Sequence, residues 1–141
     1  MNSNKLKAAM EKLIAREALH VEFKRSLTIE LRYSEDMPEF HWHNAGLAYG
    51  GDLIILNRDF IELNWDAIKA IEDLVGHEII HRKMPSSEGH GKLYKEECVK
   101  YGIHPGILGG KVHQYWRKEV HGRTPKKKPP RIVFEVRPNG N

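Results

Sequence analysis

Apolar residues at Leu6, Ala9, Met10, Leu13, Ile14 and Val21 recur at the three-to-four spacing of a helix, which predicts one from about Asn4 to His20. The pattern then changes period. Leu27, Ile29, Leu31 and Tyr33 alternate with Thr28, Glu30 and Arg32, as a strand with one buried face does. The polar stretch from Ser34 to Asn44 contains Pro38 and reads as a loop, and the segments Gly46 to Tyr49 and Leu53 to Asn57 flank Gly50-Gly51-Asp52, a hairpin signal. From Trp65 to Met84 the helical period returns, with Ala67, Ile68, Ile71, Leu74, Val75, Ile79 and Ile80 apolar and Asp66, Lys69, Glu72 and Asp73 polar. Pro85 ends that helix, Ser86 and Ser87 offer capping hydroxyls, and Leu93, Tyr94, Cys98 and Tyr101 predict another from Gly91 to Tyr101. Val112 to His121 is helical in pattern, and Ile132 to Val136 reads as a short strand able to dock back on the body. Together these elements predict an α+β domain in which a small sheet covers long helices.

Candidate chemistry enters with His77-Glu78-Ile79-Ile80-His81. Residues four apart on a helix lie about 40° round and about 6 Å along the axis, so both imidazoles can grip one cation. Glu78 can then take a proton from a water on that cation, the arrangement of the zincin hydrolases. The competing explanation is a pair of hydrogen-bonded core histidines, because both continue the stripe of Ala70 and Leu74. Gly76, a weak helix position, implies that something packs closely against it, with a strand or a substrate backbone as the expected neighbour. A catalytic zinc takes three protein ligands, and the best supplier of the third is His90, flanked by glycines that let the backbone approach the metal. Glu88, Glu96 and Glu97 compete for that place.

Helix-borne HEIIH followed by GHGKLY and a helix ending in Tyr101-Gly102 resembles the SprT-like zincins, the group that includes the Spartan proteases of DNA-protein crosslink repair. Tyr94 falls where that family has an aromatic residue, and Ala45-Gly46 ahead of the strand Leu53 to Asn57 is also similar to the family's pattern. The resemblance covers roughly Leu27 to Gly102. It implies that His77, His81 and His90 bind zinc, that Glu78 is the general base, and that the fold is zincin-like. Many members carry a cysteine-rich zinc ribbon, which a chain with one cysteine, Cys98, cannot form. Other zincins fit less well: metzincins place the third histidine six residues after the second, and here the gap is nine.

Charge divides the chain. Lys111 to Asn141 holds 9 basic and 2 acidic residues, a balance of +7 within a total of +4, so the first 110 residues carry −3. The expected organisation is a catalytic domain over residues 1–110 and a basic helix and arm over 111–141, with Lys126, Lys127 and Lys128 able to neutralise DNA phosphates. No apolar stretch reaches the ~20 residues of a membrane span, no signal-type core is visible, and one cysteine suits a reducing compartment; the expectation is cytoplasmic. Further candidates are His41 and His43 for substrate or supporting contacts, the hairpin Ala45 to Asn57 as an edge for extended substrate, and Tyr94, Tyr101, His104 and His113 for the oxyanion. The expected function is zinc-dependent peptide hydrolysis, with a non-hydrolytic zinc-stabilised nucleic-acid-binding or regulatory protein as the alternative.

Overall fold

A computed structural model describes residues 2–38, 44–49, 51–105 and 130–137. Helix α1 (Ser3–His20) starts where the Asn2 side chain accepts from the Asn4 amide at 2.8 Å, and it buries Leu6, Met10, Leu13 and Ile14. Strand β1 (Leu27–Arg32) follows, with Leu27, Ile29 and Leu31 buried as the alternation requires. Strands β2 (Gly46–Ala48) and β3 (Leu53–Asn57) form the antiparallel hairpin, with Leu47 opposite Ile55. Strand β3 runs straight into a short helix, α2 (Arg58–Leu63), whose first turn is capped by the Asn57 side chain accepting from the Phe60 amide. The sequence reading has no α2, because six residues are too few to show a period.

The metal-motif helix, α3 (Ile68–Lys83), begins three residues later than Trp65, since Asn64 ends α2 with its side chain donating to the Phe60 carbonyl. Met84 stops α3 in extended conformation, as a residue ahead of proline tends to be. Helix α4 (Lys92–Lys100) follows an eight-residue connection, and strand β4 (Ile132–Val136) completes the elements.

The sheet order is β2-β3-β1-β4 among the described residues, with β1 parallel to β3 and the other pairs antiparallel. One face, built from Leu27, Ile29, Leu31, Ile54, Leu56, Ile132 and Phe134, packs on the apolar stripes of α1 and α3. Burial of Ile132 and Phe134, worth on the order of 1.5–3 kcal/mol each, makes β4 an anchored element of that sheet. The architecture is α+β with a small mixed sheet on helices. The expected basic helix from Val112 to His121, Lys126 to Lys128, and the pair His41 and His43 fall on residues outside the described ones.

Gly76 answers to a different neighbour from the one expected. A Cβ there would lie 2.4 Å from Ile103 Cδ1 and 3.3 Å from Glu17 Oε2, so a side chain just after α4 and a carboxylate of α1 fill the space, not a strand or a substrate.

Candidate metal centre

Helix α3 carries His77, Glu78 and His81, and the connection to α4 carries His90. Four-residue spacing brings the His77 and His81 rings to 4.8 Å between centroids, and His90 closes the triangle at 5.5 Å from His77 and 4.7 Å from His81. One nitrogen from each ring lies within 4.8 Å of the others, with His81 Nε2 and His90 Nε2 3.1 Å apart. A tetrahedral ion with bonds of 2.0–2.1 Å separates its donors by about 3.3 Å, so the three histidines are close enough to bind a metal. His77 and His81 are half-buried at the edge of the core and His90 is exposed, so the rings line a cleft and do not enter the interior as the stripe of Ala70 and Leu74 suggests.

Helix α4 is held by Glu88, two residues before His90. Glu88 Oε2 accepts from the amides of Leu93 at 3.0 Å and Tyr94 at 3.5 Å, satisfying first-turn donors of α4 that no serine reaches. Ser86 and Ser87 therefore do not cap the helix, and the Glu88 carboxylate is engaged away from the three rings. Glu97 pairs with Lys83 at 3.1 Å and Glu96 faces Lys92 at 3.9 Å, so neither competing carboxylate joins the cluster. The flanking glycines have other reasons than close approach to a metal. Gly89 adopts a left-handed φ of +55° with open space around it, and a Cβ on Gly91 would lie 2.3 Å from Glu88 Oε2, where the cap must form.

Protonation favours coordination. Burial, aided by the neighbouring histidines, lowers His77 to about 3, and burial with His90 and Arg82 lowers His81 to about 4, so both rings are neutral lone-pair donors at physiological pH. Glu78 is buried beside them, with Oε1 3.8 Å from His77 Nε2 and Oε2 without a hydrogen-bond partner among the described residues. Burial pushes its pKa up to about 8, and the nearby Arg82 guanidinium opposes that rise. A carboxylate tuned near neutrality can both take and return a proton.

Arg82 is a residue the sequence reading passes over. It lies four positions after Glu78, on the same helical face, and its Nη1 donates to the Gly51 carbonyl at the hairpin turn. Arg25 donates in turn to the Arg82 carbonyl and lies 3.8 Å from Asp52. These contacts fasten the hairpin to the end of α3. The i, i+4 spacing was the only signal for it in the sequence.

The cleft between α3 and β2 has a volume of about 600 Å³ and is lined by the three histidines, Glu78, Arg82 and the backbone of β2. In the hairpin, Asn57 donates to the Ala45 carbonyl and Tyr49 to that of Leu53, which places residues 45, 47 and 49 in bonds to β3. Gly46 and Ala48 therefore turn their amides and carbonyls to the side of β2 away from β3, where no other described strand pairs. Of the oxyanion candidates, Tyr94 is fully buried with its hydroxyl against His77 Nδ1, and the Tyr101 hydroxyl accepts from Lys83 Nζ at 3.3 Å. His104 is exposed, near enough to influence His77, and His113 lies outside the described residues.

No family model, curated protein or solved structure matches the chain. Among the described residues, no helix is long and apolar enough to cross a membrane.

Proposed function

We propose that this chain is a SprT-like zinc metallopeptidase, with His77, His81 and His90 as ligands and Glu78 as general base. The observation that carries the reading is the convergence of three imidazoles beside a buried carboxylate whose Oε2 lacks a partner among the described residues. Structural metal sites need only ligands, and four protein donors usually close them. Here three donors face a cleft, and a costly buried acid stands next to them.

His77, His81 and His90 would hold the zinc, which would supply Lewis acidity toward water and the scissile carbonyl. Glu78 takes the proton of the attacking water at its unpartnered oxygen and returns it to the leaving amine. The outward amides and carbonyls of Gly46 and Ala48 receive an extended polypeptide as an added strand along the cleft. Arg82 keeps that edge in register with α3. The basic residues 111–141 hold the enzyme near DNA phosphates, so the favoured substrates are DNA-associated proteins.

The test compares wild type with Glu78→Gln, each loaded with zinc, on one protein substrate presented free and bound to DNA. Wild type is expected to cleave, faster when DNA is present, and Glu78→Gln to keep stoichiometric zinc while losing about 10²- to 10⁴-fold in rate. Equal behaviour of the two proteins, with chelation unfolding both, assigns the metal a structural role instead. Indifference to DNA removes the DNA-associated part of the reading alone.

A further inference from the structure

Tyr94 touches every member of the histidine cluster, and the peptidase reading gives it no role. Its ring stacks on His81 with centroids 4.3 Å apart and planes 16° from parallel. It meets the rings of His77 and His90 edge-on, each at 5.2 Å. Its side chain is inaccessible to solvent, and its hydroxyl lies between His77 Nδ1 and the thiol of Cys98, one turn further along α4 and equally buried.

A neutral imidazole carries one N–H, and the partner of one nitrogen decides which nitrogen is left with a lone pair. Two arrangements satisfy the buried hydroxyl. In one, it donates to Nδ1, so that His77 bears its proton on Nε2 and offers that nitrogen no longer as a ligand. In the other, Nδ1–H donates to the Tyr94 oxygen and the hydroxyl proton turns to the Cys98 sulfur, leaving the Nε2 lone pair free. Cys98 favours the second by giving the hydroxyl an acceptor. Nε2 is also the His77 nitrogen near Glu78.

We propose that Tyr94, backed by Cys98, is the positioning residue of the metal centre, holding His77 in the tautomer and orientation that present Nε2 to the ion. The inference rests on reading His77, His81 and His90 as metal ligands. A hydrogen-bond partner on the far nitrogen of a ligating histidine typically contributes 10- to 100-fold in metal affinity. In this chain the partner comes from the helix that His90 precedes, so one side chain of α4 orients a ligand on α3.

The experiment measures zinc affinity of the full chain by competition with a chromogenic chelator, for wild type and for Tyr94→Phe, which keeps the ring and its stacking and removes only the hydroxyl. The expected result is on the order of 10- to 100-fold weaker zinc binding by the variant. The cobalt-substituted proteins should also differ in their visible absorption bands, which a loss of packing alone would not change at equal occupancy. Equal zinc affinity and identical cobalt spectra overturn the role of Tyr94 while leaving the metal centre standing. Absence of zinc binding by wild type overturns the metal centre, and this inference with it. A measurement on wild type alone needs no variant to fold: nitrogen NMR of the zinc-loaded protein should show His77 coordinated through Nε2 with Nδ1 protonated, and coordination through Nδ1 overturns the proposal.

Discussion

Glu78 shows how one residue's chemistry is set by atoms far from it in sequence. Burial raises its pKa, and that burial is completed by Gly46 of β2, whose missing side chain leaves room for the carboxylate. A Cβ at Gly46 would stand 2.9 Å from Leu74 Cδ1, 3.1 Å from Glu78 Cγ and 3.3 Å from Glu78 Cδ. Gly46→Ala should therefore displace Glu78, the proposed general base, and leave the histidines untouched. A shift on the order of 1 Å at a catalytic group can cost about 10²-fold in rate, and overpacking costs about 1–3 kcal/mol. The expected variant binds zinc as wild type does, melts lower in thermal denaturation, and loses at least ten times in kcat; an unchanged rate would show that Glu78 tolerates the intrusion. In the sequence, the histidines were legible because a helical period and a five-residue motif fix their geometry. The dependence of Glu78 on Gly46 was not, because it crosses from strand to helix over 32 positions of chain.

At the scale of elements, the centre is assembled from two helices and the turn between them, and Glu88 makes that turn. Its carboxylate occupies the end of α4 where first-turn amides point outward, so Glu88→Ala removes an acceptor worth about 1 kcal/mol. His90 should then be held less firmly. The variant is expected to bind zinc several-fold more weakly in a chelator competition, whereas His90→Ala should lose far more. Equal losses in the two would make Glu88 a ligand after all. Strands β1 and β3 and helices α1, α3 and α4 were readable, since each has the length and period its environment demands. Helix α2 escaped because its start depends on the Asn57 cap and its burial on the whole fold. The cap of α4 is hidden from the sequence for a related reason: serine is the commoner capping residue, but the turn at Gly89 brings Glu88 round to the amides instead.

For the molecule as a whole, α1 and α3 meet through a carboxylate as well as through aliphatic side chains. Glu17 is buried at that contact, and burial, followed by repulsion from Glu72, raises its pKa above 4.5 against the opposing pull of His20, Lys69 and Arg16. An acid whose pKa rises on folding holds its proton more tightly in the native state. Its favourable contribution is complete below the unfolded value of about 4.5 and is lost as pH climbs through the folded one. Glu17→Gln should accordingly raise the melting temperature at pH 8 by a few degrees and change it little at pH 4. The same shift at both values would remove the carboxylate as the cause. This contact, like the pairing of β4 with β1, was beyond the reach of local pattern: Leu31 and Ile132 face each other across about a hundred residues of chain.

The outer rim of β2, unpaired among the described residues, carries a last implication for selectivity. Main-chain amides and carbonyls recognise the polypeptide repeat and are blind to what hangs from it. A guest that zips onto such a rim must first be straightened, so a compact globule resists while a frayed or heat-softened one yields. On the proposed reading, cleavage sites would follow where a target's own structure gives way, and choice among targets would be made by tethering, not by a consensus of residues.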